Sequence, residues 1–231
     1  MPDDPWLRLI VPTAALAEHL RHTFVRSATV VRPSRIVTLS QLVESWTRDL
    51  TEASTATLHL AVERAVTLRA LPEFSRVAGM PGFHAALART IDELASAGVT
   101  ARDARLPDAL RAVWAEVDAD FERRGIALRA ARLRKAASRI HAQGLGSIHS
   151  VRMEGFLRLA PPELELVEAL RRHAAVVIAP PVAGPARARE EVFAAASPDR
   201  EAVEIARRIA ESRRPFRETG IVVHDPGLYV P

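Results

Sequence analysis

The side chains that could do chemistry in this chain are dominated by arginine. Of its 32 basic residues, 31 are Arg and one, Lys135, is Lys. The densest basic stretch runs from Phe121 to His141 and carries Arg123, Arg124, Arg129, Arg132, Arg134, Lys135 and Arg139 against a single acid, Glu122. Arg132, Lys135 and Arg139 are spaced by three and four, which puts them on one helical face. Such a face suits phosphates, where cationic side chains position a nucleic-acid backbone without reading its bases. Together with Arg129 and Arg123, these three are the candidate nucleic-acid contacts. No aromatic platform for base stacking lies beside them, and a solvated helix face in an Arg-rich protein explains the same spacing. A second cluster, Arg207, Arg208, Arg213, Arg214 and Arg217, is interleaved with Glu201, Glu204 and Glu211. Pairing within a helix explains it as well as a ligand does.

Other chemistry is thinly represented. Glu154 follows an apolar run and precedes Gly155, and Asp225 follows the last apolar run. α/β proteins place functional residues at such strand ends, but acids are also ordinary turn residues there. Asp92 and Glu93 read as a solvated helix flank. The eight histidines, His19, His22, His59, His84, His141, His149, His173 and His224, form no H-E-x-x-H pattern. His19 and His22 share a helical face without a third ligand beside them. The absence of cysteine excludes disulfides, thiolate metal sites and a cysteine nucleophile. There is no G-x-S-x-G elbow and no N-terminal G-x-G-x-x-G fingerprint. Lys135 lies in Arg132-Leu133-Arg134-Lys135-Ala136-Ala137, with no glycine cradle, so a Walker A loop is absent. No catalytic, cofactor-binding or metal-ligating residue is assigned. The net charge of +4 permits an acidic partner without requiring one. Met1-Pro2-Asp3-Asp4-Pro5 is not a signal peptide, and no run of 18 apolar residues is present. A cytoplasmic protein without membrane attachment is expected.

The elements that must position these residues form three blocks. In the first, Leu7 to Val11 reads as a strand and Leu16, Leu20 and Phe24 as a helix face after Thr13. Arg35 to Thr38 reads as a second strand, and Thr38 and Gln41 have capping-box spacing before the stripe Leu39, Leu42, Val43, Trp46 and Leu50. From about Ala56 to Gly146 no segment reads as a strand. Four helices are expected there, with faces Leu58-Ala61-Val62-Ala65-Leu68, Phe83-Leu87-Ile91-Leu94, Leu110-Val113-Trp114-Val117-Phe121 and Leu133-Ala137-Ile140. Gly98, Gly125 and Gly144 punctuate their ends. Strands then resume at Ile148 to Met153 and Ala175 to Ala179, separated by a helix after Pro161-Pro162. Beyond a loop rich in Pro, Gly, Ala and Arg, Glu191 to Ala195 and Ile221 to His224 read as strands flanking a helix capped by Ser197 with Pro198. The organisation expected is an α/β domain from residues 1–50 plus 147–182 with one parallel sheet, a helical insertion over 51–146, and a second α/β unit starting at 187–231 that the natural protein continues.

Five segments, in this order and spacing, resemble one family, the B subunit of bacterial two-subunit ATP-dependent helicase/nucleases, the AddB-type proteins with a PD-(D/E)XK nuclease domain. They are Leu9-Ile10-Val11-Pro12-Thr13 with its helix; Val37-Thr38-Leu39-Ser40-Gln41-Leu42; Met153-Glu154-Gly155-Phe156 with Leu159-Ala160-Pro161-Pro162-Glu163-Leu164-Glu165-Leu166; Phe193 to Glu201 with Ile205 to Ile209; and Ile221-Val222-Val223-His224-Asp225-Pro226 with Tyr229. The resemblance implies a P-loop-NTPase-like, superfamily 1 helicase-like parallel sheet with a large helical insertion, followed by a second helicase-like domain and a metal-dependent nuclease domain. It implies a role in double-strand break repair and recombination, with DNA and a helicase/nuclease partner subunit as partners. The eight residues before Leu9 hold no Walker A loop. Glu154 matches the magnesium-binding acid of the helicases' Walker B strand, and the resemblance places the nuclease's magnesium beyond Pro231. The part at hand is expected to be a non-catalytic scaffold in a parent hydrolase. The alternatives are a protein-interaction module without DNA contact, or an ATP-binding helicase part completed by another chain.

Overall fold

The computed structural model describes residues 7–26, 35–180, 191–225 and 229. The chain divides into two compact units, residues 1–182 and 183–231. The boundary expected between the two α/β units falls in 181–190 and lies outside the described residues, as does Pro226 of the last segment of resemblance.

The first unit is α/β, with a parallel four-stranded sheet as expected. Its strands are β1 (Leu7–Val11), β2 (Ile36–Thr38), β5 (Ser150–Met153) and β6 (Ala175–Ile178), in the order β2-β1-β5-β6 with every pairing parallel. Helix α1 (Ala14–Arg26) covers one face over Leu9, Val11 and Ile36. The other face carries Ile10, Val151 and Met153 and packs against α2 (Leu39–Trp46), α6 (Arg129–Gln143) and α7 (Pro161–Arg171). Helices cover both faces at β1 and β2, which are short and mostly apolar; β5 alternates buried Val151 and Met153 with half-buried Ser150 and Arg152, and β6 leaves Val177 exposed. The chain leaves β1 towards β2 on one side and returns to β5 on the other. The strand order therefore reverses between β1 and β5.

Local signals fix the starts and stops. Thr38 and Gln41 form the expected capping box: the Gln41 amide donates to Thr38 Oγ1 at 3.1 Å and the Thr38 amide donates to Gln41 Oε1 at 2.9 Å. At the head of α7, Glu163 accepts from the Ala160 amide at 3.0 Å. Gly125 ends α5 (Asp108–Arg124) in the left-handed region, the glycine-favoured way to stop a helix.

Between α2 and β5 lies a helical module of α3 (Thr55–Arg69), α4 (Phe83–Ser96) and α5, whose own core is built on Val62, Ile91, Val113, Val117 and Phe121. Two expectations are corrected here. Ile126–Ala127 forms a two-residue strand, β4, paired in parallel with β3 (Thr51–Glu52), where no strand was expected. Leu68 is not on the buried face of α3: it is 69% exposed and Val66 is buried instead, because Leu58, Val62 and Val66 keep the four-residue step that faces α4 and α5.

In the second unit, α8 (Pro198–Glu211) is capped as expected, the Arg200 amide donating to Ser197 Oγ at 3.3 Å. The strands expected at Glu191–Ala195 and Ile221–His224 are not strands; both segments are described and neither joins a sheet. Val192 is 87% and Val222 97% exposed. A strand needs a neighbour to take its N–H and C=O groups, and none is paired with these segments among the described residues.

Candidate nucleic-acid interface

Helix α6 carries most of the candidate cations, and its own amphipathicity decides which are free. Leu133, Ala136, Ala137 and Ile140 are buried in the sheet-side core. That orientation turns Arg132 and Arg139 onto the segment that follows α2. Arg132 is buried; its Nε donates to Thr47 Oγ1 at 3.2 Å and its Nη1 to Glu52 at 3.0 Å. The Thr47 hydroxyl donates onward to the Val43 carbonyl at 2.8 Å. Arg139 grips both carboxylate oxygens of Asp49, at 2.5 and 2.7 Å, and donates to the Trp46 carbonyl at 2.7 Å. These hydrogen bonds, chiefly, hold the Asp49 carboxyl at about 2. The shared face of Arg132, Lys135 and Arg139 therefore exists, but the acids of residues 49–52 occupy two of its three cations. The reading of that face as a free phosphate track is corrected: Arg132 and Arg139 are pins between α6 and the segment after α2.

The other candidates divide similarly. Arg129 donates to Ser40 Oγ at 3.1 Å and to Glu163 at 3.4 Å, joining α6 to α2 and α7. Arg123 and Arg124 share Asp120, at 3.3 and 3.1 Å. Lys135 alone of the five is exposed without an ion pair within 4 Å among the described residues.

Lys135 lines a solvent-open concavity of about 840 Å³ that the sequence did not single out. The segment linking α4 to α5 supplies Thr100 and Arg102, α5 supplies Asp118 and Glu122, and α6 supplies Arg134, Lys135 and Ser138. The Arg134 guanidinium is steadied at 3.5 Å by the Val99 carbonyl and at 3.5 Å by Glu165. Arg102 forms no ion pair within 4 Å among the described residues. Asp118 lines this concavity as an exposed residue, with its neighbours removing part of its water. The loss of water raises its carboxyl to about 6, outweighing the Trp114 N–H and the Arg134 and Arg102 charges that favour ionisation. Trp114, Asp118 and Glu122 are separated by one helical turn each and their common face was legible. Their meeting with Arg102 and Arg134 is tertiary.

The second place with chemical potential is the crevice at the carboxyl ends of β1 and β5, where open α/β sheets bind ligands. Here β1 passes to α1 through Pro12 and Thr13 alone, and Thr13 Oγ1 accepts from the Leu16 amide at 3.2 Å. Gly155, at φ +83°, lies so close to α1 that a Cβ there would stand 2.3 Å from Leu16 Cδ2 and 3.4 Å from Pro12 Cδ. The Glu154 amide extends the sheet by donating to the Ile10 carbonyl at 3.0 Å, and its carboxylate is held by Arg152 at 3.1 Å. Pro12, Leu16 and Gly155 therefore crowd one another at this end of the sheet.

In the second unit, Arg207 and Arg208 both pair with Glu204, Arg207 also with Glu211 and Arg208 with Glu191. The two guanidiniums hold Glu204 at about 2. Arg208 also lies over the Phe193 ring at 4.2 Å, a cation–π contact. Arg207 and Arg208 of this cluster are thus engaged within and beside α8, and the Arg217 side chain lies outside the described residues. Asp225 belongs to this unit and follows an unpaired segment. Among the described residues no group of three or more His, Asp or Glu side chains has a metal-binding arrangement, and no helix is long and apolar enough to cross a membrane. No family model matches the chain, and no curated protein matches it either.

Proposed function

We propose that this chain is a non-catalytic scaffold portion of an AddB-like helicase/nuclease subunit, binding DNA through its backbone and holding the partner subunit during double-strand break repair and recombination. The observation that carries this reading is the two-residue β1–α1 junction in the crevice at the strand-order reversal. A superfamily 1 helicase-like sheet would use that crevice for nucleotide, whereas here Pro12, Leu16 and Gly155 close on one another. A two-residue junction gives a phosphate no loop of backbone amides to sit in, and the Glu154 carboxylate pairs with Arg152 at 3.1 Å. The parallel order β2-β1-β5-β6, with a helical module between β2 and β5, supports the reading, and the cation-lined concavity lies where that module meets α6.

Two titrations test it. Labelled duplex DNA binds with an affinity that falls steeply with salt, the mark of phosphate contacts; ATP with magnesium does not bind, with or without a partner chain. Nucleotide binding would instead support a helicase part completed by another chain. One observation favours a protein-interaction module that never meets DNA. Helix α3 leaves Leu60 and Leu68 exposed on its outer side, among Glu63, Arg64 and Thr67. A stable protein partner captured by this chain, together with no DNA binding at low salt, would establish that alternative.

A further inference from the structure

We propose that the concavity between the α4–α5 connection, α5 and α6 is a phosphate-binding site that takes a phosphodiester of nucleic acid, and that Asp118 is its proton-operated gate. This rests on the DNA-binding reading above and names the site and its regulation.

The cations come from two separate elements and converge on one open hollow. Arg102 lies on the connection, and Arg134 and Lys135 lie on α6. Thr100 and Ser138 add hydroxyl donors on opposite walls. Arg102 and Lys135 are exposed and form no ion pair within 4 Å among the described residues, unlike Arg132 and Arg139, whose charges are spent on Glu52 and Asp49. Arg134 is oriented by the Val99 carbonyl and by an ion pair with Glu165 at 3.5 Å, so it adds a positioned fork more than a free charge. A guanidinium fork beside an ammonium and two hydroxyls is the donor set that phosphate oxygens take.

Asp118 lines the same hollow. The groups that face it are Trp114 and Glu122 from its own helix, Arg134 from α6 and Arg102 from the connection. When ionised it competes with a phosphate for the same two guanidiniums and, with Glu122, repels it. When protonated it stops competing and its O–H becomes a donor. The carboxyl is already raised to about 6, and a bound phosphate would raise it further. Binding therefore takes up a proton near neutral pH, and affinity rises as pH falls.

The test uses the whole chain and a labelled duplex oligonucleotide in potassium chloride at constant ionic strength, at pH 7.5 and pH 5.5. Wild type is expected to bind about fivefold tighter at pH 5.5. Asp118→Asn is expected to bind at pH 7.5 nearly as tightly as wild type at pH 5.5 and to lose the Asp118 part of the response. The histidines contribute equally to both proteins and cancel in the comparison. Arg102→Glu with Lys135→Glu is expected to weaken binding about tenfold or more and lower the salt slope by about two. Both side chains are exposed, and a thermal melt confirms that the variant folds; Arg102→Gln with Lys135→Gln gives the same direction without added acids. Identical pH responses of wild type and Asp118→Asn overturn the gate. Unchanged binding by both charge variants overturns the site while leaving DNA binding by the chain intact. Failure of wild type to bind DNA at low salt overturns the underlying reading. Replacing chloride with phosphate at equal ionic strength distinguishes the source: greater displacement by phosphate assigns the hollow to small phosphates and overturns the nucleic-acid assignment, and equal displacement supports it.

Discussion

Arg132 and Lys135 differ by three positions on one helix and by everything that matters to a ligand. Arg132 meets a buried threonine and Glu52, whereas Lys135 meets water. Truncating Arg132 to Ala leaves the fully buried Thr47 hydroxyl and Glu52 without their donor, and should lower unfolding stability by about 1–3 kcal/mol in denaturant titration. Lys135→Ala should leave stability within about 0.5 kcal/mol, as surface substitutions usually do. The acids give signed pH tests. Asp49 has a folded value of about 2, below its ordinary 3.8, so its stabilisation is present above pH 4 and is lost as pH falls through about 2. Asp49→Asn should therefore melt lower than wild type at pH 7, with the difference closing below pH 4. Asp118 runs the other way, because its raised carboxyl favours the fold when protonated, below about pH 4, and that advantage is lost as pH rises through about 6. Asp118→Asn, which keeps the shape of the neutral acid, should melt higher than wild type at pH 7.5 and equally at pH 3.5. The three-and-four spacing of the α6 cations was legible in the sequence. What that face packs against was not, because Asp49 and Glu52 approach it through the fold of a different segment.

At the scale of the element, the legible features were those with local causes. The Thr38–Gln41 box, the Ser197 cap and the glycine stops each depend on a few neighbouring residues. Strands depend on partners elsewhere. Val192 and Val222 lie in apolar runs, yet among the described residues no strand is paired with them. The two-residue strands β3 and β4 are too short for a period of two to declare itself. The junction of β5 with α1 gives the sharpest element-level prediction. Gly155→Ala adds a Cβ into Leu16 at a positive φ and should cost about 1–3 kcal/mol in a thermal melt. Gly155→Ala combined with Leu16→Ala should recover the clash but not the backbone strain, which separates the two contributions.

For the molecule as a whole, the sheet and the helices between β2 and β5 belong to one α/β unit, whose cation-lined hollow is formed by the α4–α5 connection, α5 and α6. The parallel sheet was legible because Leu7–Val11, Ile36–Thr38, Ser150–Met153 and Ala175–Ile178 are short apolar runs alternating with helices. The hollow was not legible, since Thr100, Asp118 and Lys135 are brought together only by helix packing. A scaffold of this kind should bind DNA through charge and geometry, with no dependence on nucleotide. The measurement that tests this most directly is the equilibrium affinity for a labelled DNA duplex across a potassium chloride series, with and without ATP and magnesium. The account predicts a log–log slope clearly below zero, unchanged by ATP, and shallower when Arg102 and Lys135 are reversed to Glu. No binding at low salt, or binding that requires ATP, would contradict it.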